Sequence, residues 1–136
     1  MIRPIVTNEQ FLAKKSTLAA KDDVQIITDL KDTLAANADR CVGMAANMIG
    51  FSKRIIIFDD GEGAKIMVNP VITKRSGRYD TEEGCLSLVG KRKCTRYKQI
   101  EVRFLDEDFK PRKSIFTDFT AEIIQHECDH LEGKII

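Results

Sequence analysis

The stretch that most constrains this 136-residue chain is Gln125-His126-Glu127-Cys128-Asp129-His130, which holds both of its histidines, four positions apart. On an α-helix, residues i and i+4 share a face, so His126 and His130 can aim ring nitrogens at one ion. Glu127 projects beside them, near enough to reach a water on that ion without ligating it. This is the HExxH spacing, in which two histidines bind a metal and the glutamate serves as general base. The competing explanation is a pair of surface histidines, but Ile123, Ile124 and Leu131 around them fit a buried helix better.

Such a site needs a third protein ligand. The extended pattern HExxHxxGxxH fails here, because Gly133 is in place but position 136 is Ile. Only six residues follow His130, so the third ligand is expected upstream. Cys128 lies two residues from His126 and turns toward the opposite side of the helix. Cys41, Cys85, Cys94 or a carboxylate remain. Cys85 sits in Glu82-Glu83-Gly84-Cys85-Leu86-Ser87, where Gly84 permits a close backbone approach. A thiolate there completes a Cys/His/His set and leaves a fourth position for water. The alternative is a buried apolar thiol at a strand end, the state of most free cysteines.

Composition narrows the class. An apolar fraction of 43% and a charged fraction of 32% fit a soluble globular chain, and no apolar run suits a signal peptide or a bilayer span. The net charge of +1 gives no global field for nucleic acid or anionic lipid. One domain over residues 1–136 and a cytoplasmic location are expected, with the four cysteines as free thiols or ligands. None of them forms a CxxC pair.

Periodicity predicts a helix over residues 24–38, where Ile26, Ile27, Leu30 and Leu34 share a face, with a short helical or irregular lead-in at 14–20. Strands are expected at 54–58, 65–68 and 100–105, with a turn at 59–63, a break at Asn69-Pro70, and a turn at 106–108 into a returning strand. A helix over 117–131 is capped by Thr117 or Asp118. Short adjoining strands with helices near the two ends predict an α+β fold with mostly antiparallel pairing. Lys91 to Lys98, "KRKCTRYK", reads as a solvated cationic strand or loop face.

Three segments together resemble the peptide deformylases. They are Cys41-Val-Gly-Met-Ala-Ala-Asn-Met48, which is similar to the family's GxGxAAxQ motif, Glu83-Gly-Cys-Leu-Ser87 and Gln125-His-Glu-Cys-Asp-His130. The last two match the family in full. The resemblance implies antiparallel strands around a central helix that carries the two histidines. It implies a metal on Cys85, His126 and His130, commonly Fe(II) and replaceable by Zn(II), Ni(II) or Co(II). The implied reaction removes the formyl group from N-formylmethionyl peptides of nascent proteins. The ion lowers the pKa of its water, Glu127 takes the proton and returns it to the leaving amine, and the Leu86 backbone N–H helps hold the oxyanion. Val42, Ile123 and His126 match positions of the methionine pocket, Gly43 admits a substrate backbone, and Glu83 is expected to pair with an arginine, Arg96. A monomer is expected, acting on nascent chains in transient contact with the ribosome, although no basic helix or tail marks that contact.

The departures from the family bear on catalysis. Cys41 replaces the first glycine, Leu88 follows "CLS" where the family usually has proline, and Met48 replaces the glutamine whose amide donates to the oxyanion. A thioether has no donor, and losing one such donor costs about 10²- to 10³-fold in turnover. Asn47 could substitute only if its side chain turned inward. Two further readings therefore stand beside deformylation: a hydrolase of the same mechanism with another N-acyl substrate, and a metal- or peptide-binding relative without catalysis.

Overall fold

The computed structural model describes residues 1–136. Three helices and five strands follow in the order α1 (Glu9–Leu12), α2 (Val24–Ala36), β1 (Gly43–Ala45), β2 (Ile55–Asp59), β3 (Ala64–Cys85), β4 (Leu88–Leu105), β5 (Pro111–Thr117) and α3 (Asp118–Leu131). Single 3-10 turns stand at Lys21–Asp23 and Ala46–Ile49. The strands form one antiparallel sheet in chain order, so every connection joins neighbours and the fold is α+β as expected.

The β-branched run Ile55-Ile56-Ile57 is fully buried, which suits a central strand covered on both faces. On one side α2 packs Ile26, Ile27, Leu30 and Leu34 into the core, and α3 adds Ala121, Ile124 and Leu131. α3 has no broad solvent face. Gln125, His126, Glu127, Cys128 and His130 are buried along with its apolar residues, so its polar side chains need partners inside the protein. Thr117 occupies the N-cap position in extended conformation, without a side-chain cap hydrogen bond.

The structure corrects two boundaries: the strand expected at 100–105 begins at Leu88, and the strand expected at 65–68 is extended as well. Asn69-Pro70 does not end a strand; β3 runs through it to Cys85. The irregularity is absorbed as a register shift between Val68 and Val71, with Asn69 at φ 52°. A bulge leaves the proline without a ladder partner to fail, and it bends the strand. Further shifts fall between Ile72 and Lys74 and between Gly84 and Cys85. β3 and β4 thus form a long bent hairpin closed by Leu86 and Ser87, with Cys85 opposite Leu88. The segment Lys91 to Lys98 is strand, as one reading had it, but Arg96 points inward and is only 3% exposed.

Candidate metal centre and its cavity

The hairpin tip and α3 bring three donor atoms together. Cys85 Sγ lies 3.2 Å from His130 Nε2, and His130 Nε2 lies 3.1 Å from His126 Nε2. The donor atoms of Cys85, His126 and His130 all fall within 4.8 Å of one another. Of the upstream candidates, Cys85 alone joins the histidines. Cys41 lines the adjacent cavity, Cys94 sits on β4 opposite Thr81, and Cys128 packs into the core.

The polar residues around these three fix their orientation. His126 Nδ1 donates to Glu83 Oε1 at 2.8 Å, which leaves the Nε2 lone pair for the centre of the cluster. Arg96 holds the Glu83 carboxylate through Nε and Nη2, the latter at 2.7 Å, as the sequence pairing anticipates. Its remaining Nη1 donates to Asp129 at 2.7 Å. One buried guanidinium therefore ties the hairpin to α3. Gln125 adds a second tie: its amide accepts from the Tyr97 N–H at 2.9 Å and donates to the Tyr97 carbonyl at 2.8 Å. Asn47 adds a third by donating to the His130 carbonyl at 2.9 Å.

The roles of Gln125, Asp129 and Asn47 were not visible in the motifs alone. For Asn47 and Asp129 the only signal was polarity beside small or metal-ligating residues. Asn47 is fully buried with its donor committed to a carbonyl, so it does not replace the absent glutamine. Met48 is 1% exposed, lines the cavity, and its sulfur accepts from the Ala45 N–H at 3.4 Å.

Two imidazole nitrogens facing each other at 3.1 Å repel unless a proton or cation lies between them. Burial, then the neighbouring His126, holds the His130 pKa down to about 3, so its ring offers a lone pair. Burial opposes charge on His126 too, but Cys85 and Glu83 outweigh it and raise its pKa to about 10, so without an ion Nε2 carries a proton that a bound metal would displace. Burial also opposes ionisation of Glu83, yet His126 and Arg96 hold it down to about 2. The thiol-imidazole-imidazole donor set, enclosed and oriented in this way, fits a divalent transition metal. Glu127 borders the cluster. Burial pushes its pKa up to about 7, and Oε1 is buried without a hydrogen-bond partner. An unpaired acceptor there is positioned to take a proton.

A cavity of about 680 Å³ opens beside the cluster. Val42, Gly43, Leu86, Ile123, Glu83 and Glu127, all singled out in the sequence, line it, together with His126 and Cys85. Gly43 has a role beyond admitting a substrate. A Cβ there would stand 2.7 Å from Ile123 Cγ2 and 3.0 Å from Glu127 Oε2.

The polypeptide deformylase family model matches residues 2–136. The chain belongs to the peptide deformylase family. It is 55% identical to a peptide deformylase of Clostridium beijerinckii over the full length of both chains. It is 45% identical to one from Pelotomaculum thermopropionicum, covering 80% of this chain and 72% of that one. A crystal structure of the deformylase from Legionella pneumophila superposes with a TM-score of 0.88 at 34% identity, covering 99% of this chain and 83% of the other. The Met-Ala-Ser-bound deformylase of Acinetobacter baumannii gives 0.89 at 27% identity, with 99% and 97% covered. Membership carries the family's activity, the metal-dependent hydrolysis of the N-formyl group from nascent peptides. No helix is long and apolar enough to cross a membrane.

Proposed function

We propose that residues 1–136 act as one catalytic domain that deformylates N-formylmethionyl peptides with Cys85, His126 and His130 as metal ligands and Glu127 as general base and acid. The single observation that carries this assignment is the convergence of the three donor atoms beside the unpaired Glu127 Oε1. Bound there, a divalent ion supplies Lewis acidity and makes water nucleophilic near neutral pH. Fe(II) is the proposed ion, with Zn(II), Ni(II) or Co(II) as replacements, because the mixed thiolate and imidazole set suits all four.

The residues divide the remaining work. Glu127 accepts a proton from the attacking water and delivers it to the amide nitrogen, so formate leaves and a free α-amine remains. Burial, which raises the Glu127 pKa, makes its carboxylate a better proton acceptor for the first of these transfers. The Leu86 backbone N–H donates to the oxyanion. Glu83 orients His126, and Val42 and Ile123 bound the pocket for the methionine side chain. Gly43 keeps Glu127 unobstructed. We place the protein in the cytoplasm as a monomer that meets nascent chains in transient contact with the ribosome.

The test is formate release from formyl-Met-Ala-Ser by anaerobically prepared Fe(II) protein. Glu127→Gln is expected to lower kcat by at least about 10²-fold, the scale of a lost acid–base group, without loss of bound metal. Turnover equal to wild type in that variant would remove Glu127 from the mechanism. A folded, metal-loaded wild type with no turnover would contradict the proposal as a whole.

A further inference from the structure

We infer that the solvent face of strands β3, β4 and β5 is a docking surface for the phosphate backbone of double-helical ribosomal RNA. The inference rests on the deformylase reading, since it names the partner that would bring the enzyme to nascent chains.

Paired residues on neighbouring strands share a face of the sheet, as do residues two apart on one strand. Arg103 of β4 pairs with Lys113 of β5. Two residues back, Glu101 pairs with Lys74 on one side and Ile115 on the other, and Tyr97 further along pairs with Arg78. The alternate residues Ile100 and Val102 enter the core, so this set faces solvent. Lys74, Arg78, Arg103 and Lys113 are all exposed, and none of them is in an ion pair. Glu101 is the anion among them, and its carboxylate accepts from the Thr73 hydroxyl at 2.7 Å. Thr73, then Lys74 and Lys113, hold its pKa below the ordinary carboxylate value.

Such a cluster has a cost, because like charges directly opposite each other, as on Arg103 and Lys113, destabilise a strand pair. Protection of sheet edges explains a lysine on the edge strand β5. It does not explain Arg103, which has a strand on each side. The excess is local, since the whole chain carries only +1. Toward the hairpin tip the sign changes: Asp80 and Glu82 follow Arg78 on the same face, and Glu82 lines the cavity. Phosphates are therefore attracted to the far part of the sheet and repelled from the cavity mouth, which stays open to a peptide. An array of cations on a rigid sheet suits a backbone with regularly spaced charges, bound through counterion release without sequence readout. Tyr97, the aromatic residue of this set, is half-buried, so no ring is offered for stacking unpaired bases. That favours a helical backbone over a single strand.

The probe is a fluorescein-labelled RNA duplex of about 20 base pairs, titrated with the whole protein while anisotropy is followed over a salt series. Wild type is expected to bind, and to bind less as salt rises. Arg103→Glu combined with Lys113→Glu should weaken binding by about tenfold or more and reduce the slope of log K against log salt by about two, one for each lost phosphate contact. Lys15→Glu combined with Lys21→Glu makes the same change in net charge outside the sheet and should leave binding near wild type. Both double variants should turn over formyl-Met-Ala-Ser as wild type does. On stalled ribosome–nascent chain complexes, however, the Arg103/Lys113 variant should lose about tenfold in kcat/KM. A wild type that ignores the duplex, equal weakening in the two variants, or unchanged turnover of ribosome-bound chains would overturn the inference. Loss on ribosome-bound chains with no duplex binding by wild type would overturn it too, and point to an acidic protein surface instead. If the reversal variant does not fold, Arg103→Gln with Lys113→Gln takes its place, and unchanged duplex binding there overturns the inference. Wild-type failure on formyl-Met-Ala-Ser would bring down the deformylase reading, whereas the duplex titration judges the sheet face independently of turnover.

Discussion

Of the three glycines that line the cavity, Gly43 has the least room for a side chain. Its backbone is extended and would tolerate a side chain, but the space is taken by Ile123 and by the Glu127 carboxylate, 2.7 and 3.0 Å from a Cβ. Gly43→Ala is therefore expected to displace Glu127 by a few tenths of an ångström and lower kcat by roughly 10- to 10²-fold, because misplacing a catalytic group is costly. Metal content measured alongside should not change, since the three atoms nearest the new methyl belong to Ile123, Glu127 and Ile57 and not to a ligand. Met48 poses the opposite case. Its sulfur already accepts from the Ala45 N–H, and a glutamine could keep that bond through its carbonyl while turning its amide to the cavity. Met48→Gln is expected to raise kcat by up to about 10²-fold on formyl-Met-Ala-Ser, through the restored donor. No gain would mean that another group already supplies that hydrogen bond. The missing donor was plain in the motif itself. The fate of Asn47 was not, because its partner is the backbone carbonyl of His130, 83 residues away.

The elements owe their placement to a few buried polar ties as much as to apolar packing. On α2 the Asp29 side chain is fully buried and accepts from Gln25 at 2.9 Å, Arg3 at 2.9 Å and the Met1 amine at 3.0 Å. Burial alone would raise its pKa, yet those donors together lower it. A carboxylate with a depressed folded-state pKa stabilises the fold above its ordinary value of 3.8 and loses that contribution as pH falls through the folded value. Asp29→Asn should thus cost on the order of 2 kcal/mol at pH 7, the scale of lost hydrogen bonds to a charged group, since the Arg3 and Met1 cations it leaves are partly solvated. Its Tm should also fall less steeply than that of wild type as pH drops below about 4, a difference readable by thermal unfolding across a pH series. Periodicity exposed α2 and α3 because their apolar residues repeat at helical spacing. It hid the continuity of β3, since Asn69-Pro70 carries the local chemistry of a break, and only the pairing of Val68 with Leu105 and Val71 with Arg103 shows a bulge. The hydrogen bond from Tyr79 to Glu122 escaped notice for a related reason: nothing local marks a pair separated by 43 residues.

At the scale of the molecule, the centre is assembled where the tip of one long hairpin meets one buried helix. Arg96 serves both sides, through Glu83 on β3 and Asp129 on α3. The histidine pair was legible because helix geometry fixes residues four apart. The third donor was not fixed by spacing, because Cys85 reaches His130 only through the bends of β3, and at that step the family resemblance carried the reading. The central claim, that Cys85 completes a metal site with His126 and His130, is tested most directly by the absorption spectrum of the Co(II)-loaded protein. The account predicts a thiolate-to-cobalt charge-transfer band and the intense visible bands of a tetrahedral site, with the charge-transfer band abolished in Cys85→Ser. A charge-transfer band that persists unchanged in Cys85→Ser, or one absent from the loaded wild type, would contradict it.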